Sequence, residues 1–277
     1  MADLGYTRTQ IQRLIELDAD PATLETTYDS PQERESAFKS LQRKLAQENR
    51  LKLQTLRTGA GRPGLRVIES ALVEQLTKSG FVEVTTPIMM SKGMLAKMGV
   101  TDFHPLRKQI YWIDSDTCLR PMLAPHLYSL MGRLGKVWPL PVRIFEVGPC
   151  FRKESKGAKH LSEFTMLNLV EMGVDGDPQE RLEALARDLM ETLGLEFKLE
   201  VEKSDVYGTT TDIVVNGEEV ASGAVGPHPL DVHWDVAENW AGLGLGIERL
   251  VMLGENYNNI RRVGRSLIYL DGARLNV

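Results

Sequence analysis

The chain has 277 residues, 42% of them hydrophobic and 26% charged, with a formal net charge of −5 at pH 7. That length predicts one large domain or one domain with an appendage, and the balance excludes a wholly disordered or low-complexity chain. Apolar runs fall far short of the roughly 18 residues a bilayer span needs, MADLGYTRTQ lacks a signal-peptide core, and Cys118 and Cys150 make no CxxC pair. The expectation is a soluble, cytoplasmic protein with no membrane segment, disulfide framework or structural zinc site.

Residues 1 to 36 carry eight acids against three bases, whereas residues 43 to 66 carry seven bases and one acid. The first stretch predicts a short helix capped by Thr7, with Ile11, Leu14 and Ile15 on one face. A second, long helix opens at the capping box Ser30-Pro31-Gln32-Glu33, runs to about Arg57 and stops in TGAGRPG. Its basic residues Arg43, Lys44, Arg50, Lys52 and Arg57, and a second knot at Arg261, Arg262 and Arg265, either track a phosphate backbone or form solvated faces. Residues 1–57 are thus a helical extension, and the main body runs over 65–277.

The body opens with a helix marked by Val67, Ile68, Ala71, Leu72 and Leu76 and ended by Gly80, followed by an alternating strand that stops at Pro87. IYWID, VRIFEVGPCF and EFTMLNLVEM read as strands, and Asp177-Pro178-Gln179-Glu180 caps a helix ending at Gly194. Thr211–Val215, the Asn216-Gly217 turn and Glu218–Val225 predict a hairpin, since Asn-Gly supplies the positive φ angles of a type I′ turn. Strands joined by hairpins, with helices set between them and no βαβ alternation, predict an α+β fold with a mostly antiparallel sheet flanked by helices.

Gly59 to Gly64 matches GxGxxG by letter but follows a helix and contains Pro63, so it is a linker and not a dinucleotide loop. GxxxxGK[ST] is absent, so any phosphate chemistry needs another framework. Three segments offer one: Phe151-Arg152-Lys153-Glu154, then the strand on which Phe164, Met166, Asn168 and Val170 share a face, then Gly242-Leu-Gly-Leu-Gly-Ile-Glu-Arg-Leu250. Asn168 is either a core amide satisfied by backbone or the recognition group of a pocket.

In this order FRKE, EFTMLNL and GLGLGIERL resemble motifs 2 and 3 of the class II aminoacyl-tRNA synthetases, and GFVEVTTP resembles motif 1, whose proline lies at the dimer interface. LRPMLAPHLY, CFRKES, HLSEFTMLNLV, SDVYG and AVGP narrow the resemblance, over about residues 65 to 277, to the catalytic domain of the pyrrolysyl-tRNA synthetase family, in the short form that lacks a separate N-terminal tRNA-binding domain. The resemblance implies activation of pyrrolysine or a similar Nε-acylated lysine with ATP and Mg²⁺, transfer to tRNA(Pyl), and a homodimer.

By the same resemblance Arg152 and Arg249 are catalytic, and Arg152, Glu154, His160, Leu161, Phe164, Glu219, Ser222, Gly246 and Arg249 bind ATP. Glu219 and Ser222 are the metal ligands, which requires an irregular strand between Glu219 and Ala224, because regular alternation would send the two to opposite faces. Gly223 is the residue expected to permit it. Ala124, Leu127, Tyr128, Met131, Asn168, Val170, Tyr207, Ala224, Trp240 and Gly244 form the amino-acid pocket; for the two basic segments it is their charge that predicts contact with tRNA. His228 and His233 read as turn or surface residues. A phenylalanyl-type class II enzyme and a synthetase-like binding paralogue remain open at this point.

Overall fold

The computed structural model describes residues 4–59, 61–153 and 160–276. In the N-terminal extension β1 (Leu4–Gly5) leads into α1 (Arg8–Glu16), α2 (Pro21–Leu24), β2 (Thr27–Tyr28) and α3 (Pro31–Thr58), and β2 pairs antiparallel with β1. Thr7 and Gln10 cap α1 reciprocally; at α3 the Ser30 hydroxyl accepts from Glu33 N, while the Glu33 carboxylate accepts from Asp29 N. Tyr6, Leu14, Leu17, Ala19 and Leu45 form a small core of its own.

The body begins with α4 (Gly64–Lys78), which ends before Gly80 at φ +81°, a left-handed position that suits glycine. Then come β3 (Val82–Glu83), β4 (Met89–Ser91), α5 (Lys92–Lys97), β5 (Thr117–Leu119), α6 (Ala124–Leu134), β6 (Val142–Phe151), β7 (Glu163–Met172) and α7 (Pro178–Leu193). Strands β8 (Lys198–Ser204), β9 (Gly208–Val215), β10 (Glu218–Gly226) and β11 (Trp240–Gly246) follow, and α8 (Ile247–Gly254), β12 (Tyr269–Leu270) and β13 (Ala273–Arg274) close the chain. Among the described residues the main sheet has seven strands in the order β3-β6-β7-β11-β10-β9-β8, antiparallel except for the short β3–β6 pair. The expected α+β class holds.

Two expected strands are altered. The segment ending at Pro87 pairs only at Val82 and Glu83, and Ile110–Asp114 contributes a single bridge, Trp112 to Cys118, with Ile113 N–H donating to Thr117 O and Leu119 N–H to Tyr111 O, while the other edge of Thr117–Leu119 pairs with Met89–Ser91. The Asn216-Gly217 turn has both φ angles positive, at 52° and 80°, as its sequence requires. Cys118 and Cys150 are buried free thiols, and no helix among the described residues is long and apolar enough to cross a membrane.

Alternation along the strands divides the core. Phe145, Leu167, Leu169, Leu243 and Leu245 pack beneath α4, α7 and α8, whereas Ile144, Val170, Met172 and Trp240 face α6. The functional face is this second one.

The extension is bolted to the C-terminal end of the body by directional polar contacts. Asn49 of α3 donates to Leu17 O and Leu45 O and accepts from Arg274 N at 2.7 Å. Arg262, only 1% exposed, donates to Glu16 O at 3.1 Å and to Gly272 O, pairs with Asp18 and lies between the Tyr257 and Tyr269 rings. Its expected tRNA contact is therefore corrected: the guanidinium is consumed inside the protein and cannot reach a phosphate. Arg261 and Arg265 are exposed, although Arg265 also donates to Thr165 Oγ1 at 3.1 Å.

Candidate active site

A cavity of about 440 Å³ opens on the α6 side of the sheet. Its floor is built by parity. Trp240, Gly242, Gly244 and Gly246 share one face of β11, so beyond the indole the strand contributes no side chain and leaves room above its backbone. Neighbouring β7 places Phe164, Met166, Asn168 and Val170 on the same face, with Asn168 opposite Gly244 and Met166 opposite Gly246.

On β10 the expected irregularity is present. Glu219 pairs with Val214 and Ala221 with Ile213, so Val220 is an extra residue and a bulge restores Glu219, Ser222 and Ala224 to the cavity side. The bulge lies at Val220 and not at Gly223. Gly223 has a different reason: a Cβ there would sit 2.6 Å from Leu182 Cδ1 of α7.

Every expected amino-acid-pocket residue lines this cavity: Ala124, Leu127, Tyr128 and Met131 from α6, Asn168 and Val170 from β7, Tyr207, Ala224, Trp240 and Gly244. Tyr128 meets the Trp240 ring edge-on at 5.4 Å, and Tyr207 meets it at 6.3 Å. Desolvation raises the phenol pKa values of both tyrosines well above the ordinary range, so both keep their protons. The Asn168 amide makes no hydrogen bond among the described residues, which removes the reading of a core asparagine satisfied by backbone.

The expected ATP residues Arg152, His160, Leu161, Phe164, Glu219, Ser222, Gly246 and Arg249 line the same cavity, and Glu154 lies outside the described residues. Arg152 donates through Nε to Pro121 O at 2.9 Å and holds its guanidinium 5.4 Å from the Phe164 ring centre. Arg249 donates to Glu219 O at 2.6 Å and its Nη1 lies 3.8 Å from Glu219 Oε2. Partial burial raises the Glu219 carboxyl pKa, Arg249 opposes that, and Asp212 adds to it.

Motif spacing did not single out three supporting groups. Asp212, opposite Ser222 on β9 and 8% exposed, accepts the Ser222 hydroxyl proton at 2.6 Å. Glu248 takes the N–H of Thr165 with both oxygens at 2.9 and 2.8 Å where β11 ends, joining α8 to β7 and presenting Arg249 to the cavity. Arg120 and Glu146, an ion pair at 2.7 Å with both side chains 2% exposed, bind Thr86 and the Pro149 carbonyl and so tie the Pro87 segment to β6. For Asp212 a signal existed, an acid inside the hairpin opposite Ser222. For Arg120 the only signal was its place in LRPMLAPHLY.

Two carboxylates and a hydroxyl, with no thiol or imidazole among them, make an oxygen donor set that fits a hard divalent cation, and two arginines at a cavity with an aromatic plate fit a nucleotide triphosphate. The sequence matches the tRNA synthetases class II core domain (F) over residues 48–270, and the chain belongs to that class.

Among solved structures it is similar to the Desulfitobacterium hafniense pyrrolysyl tRNA synthetase PylSc, at 45% identity and TM-score 0.92, covering 99% of this chain and 96% of that one. A second pyrrolysyl-tRNA synthetase structure from Desulfitobacterium hafniense matches at 45% identity and TM-score 0.94 over 100% of both chains. With them, the chain is a member of the pyrrolysyl-tRNA synthetase family.

Curated relatives match over shorter stretches. Threonine--tRNA ligase of Ehrlichia chaffeensis is 30% identical over 34% of this chain and 15% of its own length. O-phosphoserine--tRNA(Cys) ligase of Methanococcus vannielii is 27% identical over 66% of this chain and 36% of its own length. The chain thus spans about 15% to 36% of these two relatives.

Proposed function

We propose that this chain is an aminoacyl-tRNA ligase that activates pyrrolysine, or a similar Nε-acylated lysine, with ATP and transfers it to the 3′ end of tRNA(Pyl). A carboxylate oxygen of the amino acid attacks the α-phosphorus in line; the bond to the bridging oxygen breaks and pyrophosphate leaves with the electron pair. The 3′-hydroxyl of the terminal adenosine then attacks the acyl carbon, and AMP leaves.

No protein nucleophile is needed, so the residues act by positioning and by charge. Arg152 holds the α-phosphate against the amino-acid carboxylate, Phe164 stacks under the adenine, Arg249 covers its other face toward the γ-phosphate, and His160 and Leu161 flank the nucleotide. Glu219 and Ser222 would hold Mg²⁺, with Asp212 fixing the serine hydroxyl. Bound there, the ion supplies neutralisation of phosphate charge.

The observation that carries the substrate reading is Asn168, an amide with no hydrogen-bond partner among the described residues, at the end of the cavity lined by Ala124, Leu127, Met131, Val170 and Trp240. Pyrrolysine brings an amide carbonyl midway along its side chain, which Asn168 can bind as donor. Lysine would bring an unpaired charge, and phenylalanine would leave the amide unsatisfied. ATP–pyrophosphate exchange over a panel of amino acids tests this: pyrrolysine and Nε-acyl-lysines should support exchange, and exchange with phenylalanine alone would transfer the assignment to the phenylalanyl-type reading.

For tRNA, Arg43, Arg50 and Arg57 recur every seventh residue, all exposed, so they form one row along α3, whereas Lys44 stands about 100° round the helix from that row and Lys52 points toward the body. Lys44 and Lys52 already pair with Glu48 and Asp18. For the homodimer, the support is the exposed apolar edge at Val82, Ile88 and Met89, next to the Pro87 segment.

A further inference from the structure

Trp240 is the one large side chain on a β11 face otherwise made of glycines, and its indole is held by a group that no motif includes. The indole Nε1 donates to both carboxylate oxygens of Asp231, at 3.1 and 3.0 Å. The same carboxylate accepts from the backbone N–H of His228 at 2.7 Å. Asp231 is 5% exposed and Trp240 3%, so these bonds lie out of water. A Cβ on Gly226 would sit 1.9 Å from the indole nitrogen, so the ring edge crosses the strand where only a glycine leaves space. The turn from His228 to Asp231 holds a second wall as well: the His228 ring bonds to Tyr207 O at 3.3 Å.

The order of residues along the strands says which part of the cavity this sets. Gly246 pairs with Met166 near the nucleotide residues, Gly244 pairs with Asn168, and Trp240 pairs with Met172. At roughly 3.3 Å per residue, the Trp240 backbone lies about 13 Å beyond that of Gly244, and its indole folds back over Gly242, where a Cβ would meet the ring at 3.4 Å, at the far end of the amino-acid pocket. A side chain whose acyl carbonyl meets Asn168 and which carries a ring beyond it ends against this indole; a short acyl group does not reach it.

We infer that Asp231 is a positioning residue that fixes Trp240 as the end wall of the amino-acid pocket and thereby sets preference for ring-bearing over short Nε-acyl-lysines. The inference rests on the proposed function. Rotating the indole away would leave a buried carboxylate short of a donor, which makes the observed orientation the stable one. The proton that holds the ring is not available to a ligand, so the wall offers the ring face and no donor.

The test uses the full chain with Asp231→Ala and Asp231→Asn, each alone and combined with Trp240→Phe. Pyrophosphate exchange is measured with pyrrolysine and with Nε-acetyl-lysine, and tryptophan emission is recorded for each variant. Asp231→Ala should raise KM for pyrrolysine about tenfold or more, change that for Nε-acetyl-lysine much less, and leave KM for ATP unaltered. Asparagine, which keeps one acceptor for the indole, should restore most of the loss. In the Trp240→Phe background neither Asp231 substitution should alter the ratio between the two substrates, and the emission change caused by Asp231→Ala should vanish. Equal losses for both amino acids and ATP, or losses that persist without Trp240, overturn the inference. Where Asp231→Ala does not fold, the asparagine variant with and without Trp240 decides by the same criteria. If the wild-type chain activates neither amino acid, the proposed function has failed, and an emission spectrum indifferent to Asp231 sinks the inference separately.

Discussion

Gly244→Ala places a methyl group under the amide that the proposed function depends on. Gly244 sits in extended β11 opposite Asn168, so alanine introduces no backbone strain; the whole effect is steric. Its Cβ would lie 2.9 Å from Asn168 Oδ1 and 3.3 Å from Met166 Cε. An ordinary contact is about 3.5 Å, so the amide must withdraw by roughly half an ångström while the flexible methionine yields. Withdrawal of that size misaligns a hydrogen bond to the substrate carbonyl, whose net worth is about 1 to 1.5 kcal/mol, and kcat/KM for pyrrolysine should fall about five- to tenfold. Pyrophosphate exchange with varied pyrrolysine at saturating ATP measures this, and KM for ATP serves as the internal control. Asn168→Ala should cause a loss at least as large, and the double variant should add little to it, because both act on one bond. If Gly244→Ala leaves kcat/KM unchanged, or if the two losses simply add, Asn168 is not read through its amide in the way proposed.

Removal of the Arg262 guanidinium by Arg262→Ala should cost about 3 to 5 kcal/mol in urea unfolding, because Asp18 and two carbonyls lose a buried partner; Arg261→Ala, at an exposed position, should stay within about 0.5 kcal/mol. Burial, followed by the nearby Arg120 charge, lowers the His126 pKa from 6.5. The unfolded chain therefore takes up a proton that the folded chain refuses, and stability should decline as pH falls below about 6.5; a His126→Gln variant with the same slope in chemical denaturation between pH 7 and 5 would refute this. Reversing Arg43, Arg50 and Arg57 to glutamate should reduce the slope of log affinity for tRNA against log salt by at least about 2 while sparing pyrophosphate exchange. Equal damage to both would make the row structural.

The legible parts of this protein were those with local causes. Thr7, Ser30 and Asp177 announced helix starts, Gly80 and Gly194 announced stops, and Asn216-Gly217 placed the hairpin, because each acts through its own backbone geometry. Parity along β7 alone puts Phe164 and Asn168 on one face, and the pairing with β11 agrees. Placing Glu219 and Ser222 on one face, as the family resemblance implied, required an irregular strand, but nothing local told Val220 from Gly223 as its seat, since the choice depends on how β10 registers with β9 and how α7 packs behind it.

What stayed hidden depends on partners distant in the chain. Arg262 looked like a surface base, and only Glu16, Asp18 and Gly272 converge to bury it. Tyr111 and Ile113 have strand composition, yet the pairing partner of Met89–Ser91 is Thr117–Leu119. Asp231 sits in a turn of ordinary polar character, and its buried partner is an indole nine positions later.

The polar bolt at Asn49 also acts as a fulcrum. It falls almost under Arg50, near the middle of the arginine row, and not at either end of the 28-residue helix. At 1.5 Å per residue, Arg43 and Arg57 stand roughly 9 and 12 Å from the pivot on opposite sides. A tilt of about 10° would then move each by only about 2 Å, less than the roughly 3 Å advance from one nucleotide to the next along a duplex strand. A helix of the same length hinged at its tip would sweep several times farther. Pinning near the centre keeps both ends of the arginine row within about 2 Å of their places when the long arm rocks by that angle.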